Sequence, residues 1–82
     1  MNFRQLIDAA RCKGRADHLR PRTMMWVARV TAVSRPQIYN LINGSQTAPR
    51  WTVAKIARGL CVPAKKVEAA LAASRAEYEV AS

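Results

Sequence analysis

A dense set of hydrogen-bonding side chains lies in the short segment VSRPQIYNLING, residues 33–44. Between Ser34 and Asn43, guanidinium, amide and phenol groups are interspersed with only three plainly apolar residues, Ile38, Leu41 and Ile42. A guanidinium donates through a planar fork, and a carboxamide both donates and accepts. The segment therefore carries many groups that are able to contact a partner.

The chain offers little for catalysis or for metal binding. Asp17 and His18 are the nearest approach to an acid–base pair, and no nucleophile stands beside them. Cys12 and Cys61 have no CxxC spacing, and His18 is the only histidine, so we predict no zinc site. We expect no enzyme activity, no cofactor and no small-molecule ligand. Both cysteines are expected to be small buried hydrophobes in a reducing cytoplasm.

The polar segment has the start and stop signals of a helix. Ser34 is a good N-cap, and Gln37 three residues later can complete a capping box. Pro36 falls in the first turn, where its missing N–H does no harm. Gly44 offers the left-handed residue that ends many helices. We predict a helix over residues 34–43.

Four further helical segments surround this one, and no segment has the pattern of a strand. The first begins at an N-cap with a capping box and ends near a glycine, and the others begin at a threonine cap or a proline. The predicted starts are Asn2, Thr23, Trp51 or Thr52, and Pro63. The first helix has an apolar stripe of Phe3, Leu6, Ile7 and Ala10. The apolar positions of the other helices can meet in one core: Val27, Ala28, Val33, Ile38, Leu41, Val53, Ile56, Ala57, Leu60 and Val67. We expect Trp51 to cover one side of that core.

Positive charge is concentrated in the first three-quarters of the chain. There are 14 Lys and Arg residues against 5 Asp and Glu, for a net charge of +9. Residues 1–62 hold 11 basic and 2 acidic residues, whereas residues 63–82 hold 3 of each. A basic body attracts a polyanion through counterion release, and arginine suits bidentate phosphate recognition. Charge that serves solubility alone is the alternative.

The segment TMMWVARVTAVSRPQIYNLING, residues 23–44, resembles the helix-turn-helix of the lambda-repressor/Cro-type (XRE-like) DNA-binding family, and the likeness extends to about residue 70. The helix cap, the apolar positions and the terminating residues all match the family pattern. They are Thr23, Val27, Ala28, Val33, Ser34, Ile38, Leu41, Asn43 and Gly44. The resemblance implies an all-α, compact five-helix lambda-repressor-like domain with the helix-turn-helix at about residues 23–43. In that motif the second helix lies in the major groove.

The same resemblance implies which residues touch DNA. The positions that face base edges are those of Arg35, Pro36, Gln37, Tyr39 and Asn40. The positions that touch the backbone are those of Thr23, Asn43, Ser45, Gln46 and Thr47, with Arg22 just before the motif. Arg35 would bond guanine bidentately, and Asn40 or Gln37 would pair with adenine. An ordinary solvated helix face is the alternative.

Three features depart from the family pattern. Met24 stands where the family usually has a glutamine that holds a phosphate. Ala32 replaces the turn glycine, which implies either about 1–2 kcal/mol of left-handed strain or a shifted turn. The stretch between Gly14 and Thr23 is longer than usual and carries Arg15, His18, Arg20 and Arg22. This stretch is either a solvated loop or a basic arm on the phosphates.

The neutral C-terminal segment, residues 63–82, is the predicted dimerisation element of a single domain spanning residues 1–82. Leu71, Ser74 and Tyr78 lie along one stripe of its helix. Little of the chain is left for the helix to bury against beyond about Ala73, so we expect these three residues to meet a second copy.

The expected function is that of a sequence-specific, double-stranded DNA-binding transcriptional regulator. We expect a repressor or autoregulator of a phage or mobile-element type that binds an inverted-repeat operator as a homodimer, with helix 34–43 in the major groove. An antitoxin of a toxin–antitoxin pair, or a protein-interaction adaptor on the same fold, remains open. No apolar run approaches the roughly 18 residues of a membrane span, and no signal-peptide core is present. We expect a cytoplasmic protein without a membrane partner.

Overall fold

The computed structural model describes residues 1–14 and 20–81, and these residues form five α-helices and no strand. The helices are α1 (Phe3–Cys12), α2 (Met24–Thr31), α3 (Arg35–Asn43), α4 (Arg50–Leu60) and α5 (Ala64–Ala81). None of these helices is long and apolar enough to cross a membrane.

The predicted N-caps of the first three helices are confirmed. Asn2 accepts from the backbone N–H of Gln5 at 2.9 Å, and the Gln5 side chain accepts from Asn2 N–H at 2.8 Å, which completes the capping box. Thr23 Oγ1 caps α2 by accepting from the N–H of Trp26 at 3.2 Å. Ser34 Oγ accepts from the N–H of Gln37 at 3.4 Å. The reciprocal bond of a capping box is not formed by this last pair among the described residues, so α3 has half of the predicted box.

The fourth helix begins one to two residues earlier than predicted. Pro49 is its N-cap and makes no side-chain capping bond, and its carbonyl accepts from the N–H groups of Thr52 and Val53. Proline is pre-organised for this position because its φ angle is already helical. Thr52 is therefore buried inside the helix rather than exposed as its cap.

The apolar stripes meet in one core, as predicted. Phe3, Val27 and Val67 are fully buried, and the predicted alanines Ala28 and Ala57 pack against the core from partly buried positions. The buried hydrophobic residues are Phe3, Leu6, Ile7, Ala10, Val27, Val33, Ile38, Leu41, Val53, Ile56, Leu60, Val67 and Ala70. The principal packing pairs are α2 with α4, α1 with α5, α4 with α5, and α3 with α5.

Two expectations about burial are wrong. Trp51 is 70% exposed, because it lies in the first turn of α4 on the side away from Val53 and Ile56. Cys12 and Cys61 are exposed free thiols. Cys12 falls off the apolar stripe of α1, and Cys61 is the left-handed residue that follows α4.

The turn between α2 and α3 keeps its left-handed residue although that residue is alanine. Ala32 has φ 56° and ψ 30°, and Val33 then enters the core. The turn is therefore not shifted, and the alternative that the sequence left open is resolved in favour of local strain.

Replacing Ala32 with glycine is expected to raise the free energy of unfolding by about 1 kcal/mol, because glycine adopts this conformation without a Cβ clash. Chemical denaturation measures the change. Ala54→Gly is the matched control, since Ala54 is an exposed residue inside α4 and the same replacement there should cost about 1 kcal/mol. A parallel loss of stability in both variants would show that Ala32 is not strained.

Candidate nucleic-acid interface

The orientation of α3 is set by the residues that it buries. Ile38 and Leu41 are each 1% exposed and pack into the core. Because a helix turns about 100° per residue, burial of these positions directs the opposite side of α3 outward. The Ala32 turn and the Ser34 cap then fix the angle at which α3 leaves α2.

The structure places four of the predicted side chains on one outward stripe of α3. Arg35, Pro36, Tyr39 and Asn43 are all exposed, with Tyr39 at 48%. Asn40 is half-buried at the edge of this stripe. We call this surface the α3 stripe: Arg35, Pro36, Tyr39, Asn40 and Asn43. Asn43, predicted to touch the backbone, lies on the same stripe as the predicted base-contacting residues.

Gln37 lies at the margin of the α3 stripe. It is half-buried beside Asn40, which is three residues later on the helix, and lies between Asn40 and the buried Leu41 by helical position. Of the two residues considered for adenine, both are half-buried, and Asn40 is the nearer to the outward centre of the α3 stripe by helical position.

Hydrogen bonds fix the first residues of the loop after α3, and the residues that follow them are exposed. Gly44, with φ 79°, ends α3, and its N–H bonds the carbonyl of Leu41 at 3.2 Å. Ser45 donates its N–H and its Oγ to the carbonyl of Asn40, at 3.0 and 3.2 Å. Gln46 and Thr47 are exposed. The loop therefore projects its side chains from the same end of α3 that carries Asn43.

Helix α5 braces the end of α3. Arg75 Nη1 donates to the carbonyl of Gly44 at 2.7 Å, and the Arg75 guanidinium lies over the ring of Tyr78 at 5.6 Å. A Cβ on Gly44 would lie 2.3 Å from the carbonyl oxygen of Ser74. The close approach of the two backbones ties the position of the loop to α5.

Two arginines lie at the N-terminal ends of helices, where the helix dipole is positive. Arg35 is the first residue of α3 and Arg50 is the first residue of α4. None of the five described helices has an acidic residue in its first turn. A cation at a helix N-terminus is unfavourable by a few tenths of a kcal/mol to about 1 kcal/mol. An anionic partner would relieve this unfavourable interaction.

The two residues predicted to reach phosphate from the start of α2 differ in their availability. Thr23 is exposed, with its hydroxyl engaged as the cap of α2. Arg22 is half-buried and engaged by neighbouring residues: its Nη1 donates to the carbonyl of Lys13 at 2.6 Å, and its guanidinium lies over the ring of Trp26 at 5.0 Å. The Arg22 carbonyl also accepts from Arg11 Nε. Arg22 therefore joins the end of α1 to the start of α2, and its phosphate contact stays a prediction.

Half of the predicted basic arm lies outside the described residues. Arg15 and His18 fall in residues 15–19, as does Asp17 of the acid–base pair, whereas Arg20 is exposed and Arg22 is half-buried.

Ser74 is a wrong assignment to the dimer interface. Its side chain is 2% exposed, and its Oγ accepts from the N–H of Phe3 at 2.8 Å. The expectation that little remains to be buried beyond Ala73 is also wrong, because α5 packs against the start of α1 and the end of α3 there. Leu71 is half-buried and Tyr78 is 41% exposed, so both retain surface for a partner.

Two exposed residues that follow the α3–α4 loop directly were not among the predicted site residues. They are Arg50 and Trp51 in the first turn of α4; the sequence pattern placed Arg50 at the end of the loop and allowed Trp51 as the first helical residue. The signal was Pro49, because proline is enriched at the start of helices.

No family model, curated protein or solved structure matched the chain.

Proposed function

We propose that the protein is a sequence-specific, double-stranded DNA-binding regulator with a lambda-repressor-like helix-turn-helix formed by α2 and α3. The observation that carries the proposal is the α3 stripe. Burial of Ile38 and Leu41 fixes the orientation of this short helix. Its outward side presents a guanidinium, a phenol and two carboxamides. These are hydrogen-bonding groups of the kind that read base edges in the major groove.

The charge pattern supports the same proposal. Arg35 and Arg50 stand at the positive ends of α3 and α4, and no described helix offsets its N-terminal dipole with a carboxylate. DNA phosphates would supply negative charge at these ends. In this arrangement α3 lies in the major groove, while Thr23 and the exposed residues of the α3–α4 loop approach the backbone on either side.

We further propose a homodimer that binds an inverted repeat and represses transcription, including that of its own gene. A second half-site adds affinity because the linked binding event becomes intramolecular. A two-fold dimer would place two copies of α3 about 34 Å apart, in successive major grooves. The regulator would act in the cytoplasm.

Selection from a pool of random double-stranded DNA tests this function. We expect recovery of a defined inverted repeat, protection of that repeat in footprinting, and a linear fall of the logarithm of affinity with the logarithm of salt concentration. A mixed pool of RNA hairpins serves as the competitor. Recovery of unrelated sequences with equal affinity would contradict sequence recognition, and absence of binding at low salt would favour the adaptor alternative.

A further inference from the structure

A shallow apolar groove lies on the side of α5 that faces the α3–α4 loop. Its apolar lining comes from Ala48 of the loop, Val53 of α4, and Leu71 and Ala72 of α5. Two polar residues of the loop, Gln46 and Thr47, and two charged residues of α5, Glu68 and Arg75, complete the lining. We call this surface the α5 groove: Gln46, Thr47, Ala48, Val53, Glu68, Leu71, Ala72 and Arg75.

The two charges are arranged symmetrically about the apolar part of α5. Glu68 and Arg75 are seven residues apart, which is about two turns of helix and about 10 Å along its axis. They lie on the same side of α5, and the midpoint between them falls between Leu71 and Ala72. A two-fold axis through that midpoint, perpendicular to α5, would bring Glu68 of each copy opposite Arg75 of the other.

We propose that the α5 groove is the dimer interface and that its occupant is the α5 helix of a second copy of this chain, packed antiparallel. Leu71 of one copy then meets Ala72 of the other, where the small side chain allows the helices to approach. Two Glu68–Arg75 ion pairs flank this centre. The inference rests on the proposed homodimer and does not depend on any DNA contact.

Charge complementarity favours a second copy over an acidic or a basic partner. The groove pairs one carboxylate with one guanidinium, so its lining is neutral on a chain with a net charge of +9. Two copies that met through their basic surfaces would repel each other. A surface with both charges, related by a two-fold axis, is complementary to itself, as an isologous dimer requires.

The two charged groups are also available for an intermolecular pair. Glu68 is exposed and makes no hydrogen bond or ion pair with another described residue. The Arg75 side chain is 38% exposed; it uses Nη1 on the Gly44 carbonyl and Nε on Glu79 at 3.4 Å. A guanidinium has five N–H donors, so further donors remain for a second carboxylate.

Two of the three residues that the sequence predicts at the dimer interface have a role in this one. Leu71 lies at its centre. Tyr78 contacts the Arg75 guanidinium with the face of its ring and so helps to position it. Ser74 belongs to the monomer instead, because it faces the start of α1. Since the α3–α4 loop forms one wall of the groove, dimerisation brings the loops of the two copies towards one another.

A charge-exchange experiment tests the interface without DNA. Sedimentation equilibrium of the wild-type chain up to high concentration should show a reversible dimer. Glu68→Arg should weaken that dimer about tenfold or more, because like charges then face each other. Arg75→Glu should do the same. An equimolar mixture of the two variants should dimerise again, since both pairs are then complementary.

Two controls make the result specific. Asp8→Arg changes the net charge by the same amount on α1, where Asp8 has an exposed ion pair with Arg11, and should leave the dimer much closer to wild type. Ala72→Arg places a large cation at the centre of the interface and should block association. This variant and Glu68→Arg decide the question even if Arg75→Glu fails to fold.

A monomeric wild type, or a dimer unaffected by Glu68→Arg and Ala72→Arg, would overturn this interface. A monomeric wild type would also remove the expected inverted repeat, but the DNA selection would still report on recognition by α3, because a single defined half-site would then be recovered. Conversely, a protein that dimerises as described but binds no DNA would keep the interface and remove the proposed function.

Discussion

Replacing Arg35 with alanine is expected to lower the affinity for the selected DNA site by about 1–3 kcal/mol, or roughly 5- to 150-fold, and to relax preference at one base pair. Arg35 is the exposed first residue of α3, and its fork matches the two acceptors of guanine in the major groove. Its removal should leave folding intact or slightly improve it, since it deletes a cation from the positive end of a helix.

Arg4→Ala is the matched control for this variant. Arg4 is also an exposed arginine in the first turn of its helix, but it lies on α1, outside the proposed motif. Each variant should lose affinity for non-cognate DNA to a similar small extent, and only Arg35→Ala should lose discrimination between cognate and non-cognate sites. Competition titrations at one salt concentration measure both quantities. Equal losses on the two kinds of DNA would remove Arg35 from base recognition.

Replacing Gly44 with alanine is expected to lower the free energy of unfolding by about 3 kcal/mol or more, combining left-handed strain with overpacking. Gly44 has φ 79°, and the added Cβ would lie 2.3 Å from the Ser74 carbonyl oxygen and 2.8 Å from Tyr78 Cβ. The first of these neighbours is backbone, so α5 would have to move away from the end of α3. Chemical denaturation measures the loss.

Gly14→Ala separates the two contributions. Gly14 has φ +73°, and a Cβ added there would meet nothing within 4 Å. This variant should therefore show only the strain of about 1–2 kcal/mol. If both variants lose the same amount, α5 does not press against the end of α3 as closely as the structure places it.

Much of the local structure follows from the sequence because the deciding interactions span only a few residues. Asn2, Thr23 and Ser34 each cap a helix by bonding a backbone N–H three residues ahead. Such a bond needs only the right residue at the right spacing. The buried stripes were likewise readable, because the repeat of apolar residues along a helix defines the side that faces the core.

Some features of the candidate site also follow from the sequence, whereas others depend on tertiary contacts. The outward position of Arg35, Tyr39 and Asn43 follows from the burial of Ile38 and Leu41, both of which the apolar pattern predicts. The assignment of Gln37 could not be settled by composition alone, since a half-buried flank and an exposed stripe differ by only part of a turn. The hydrogen bond of the Arg22 side chain could not be predicted either, because its partner, the carbonyl of Lys13, lies nine residues earlier in the chain.

The role of α5 was decided by tertiary structure. Its stripe of Leu71, Ser74 and Tyr78 fits a partner helix and a monomer core equally well, because helical spacing is the same in both. Only the folded chain brings the N–H of Phe3 to the Ser74 hydroxyl, across 71 residues of sequence, and the backbone of Gly44 against the carbonyl of Ser74. Caps and stripes are properties of a segment, whereas the partner of a buried polar group is a property of the whole packing.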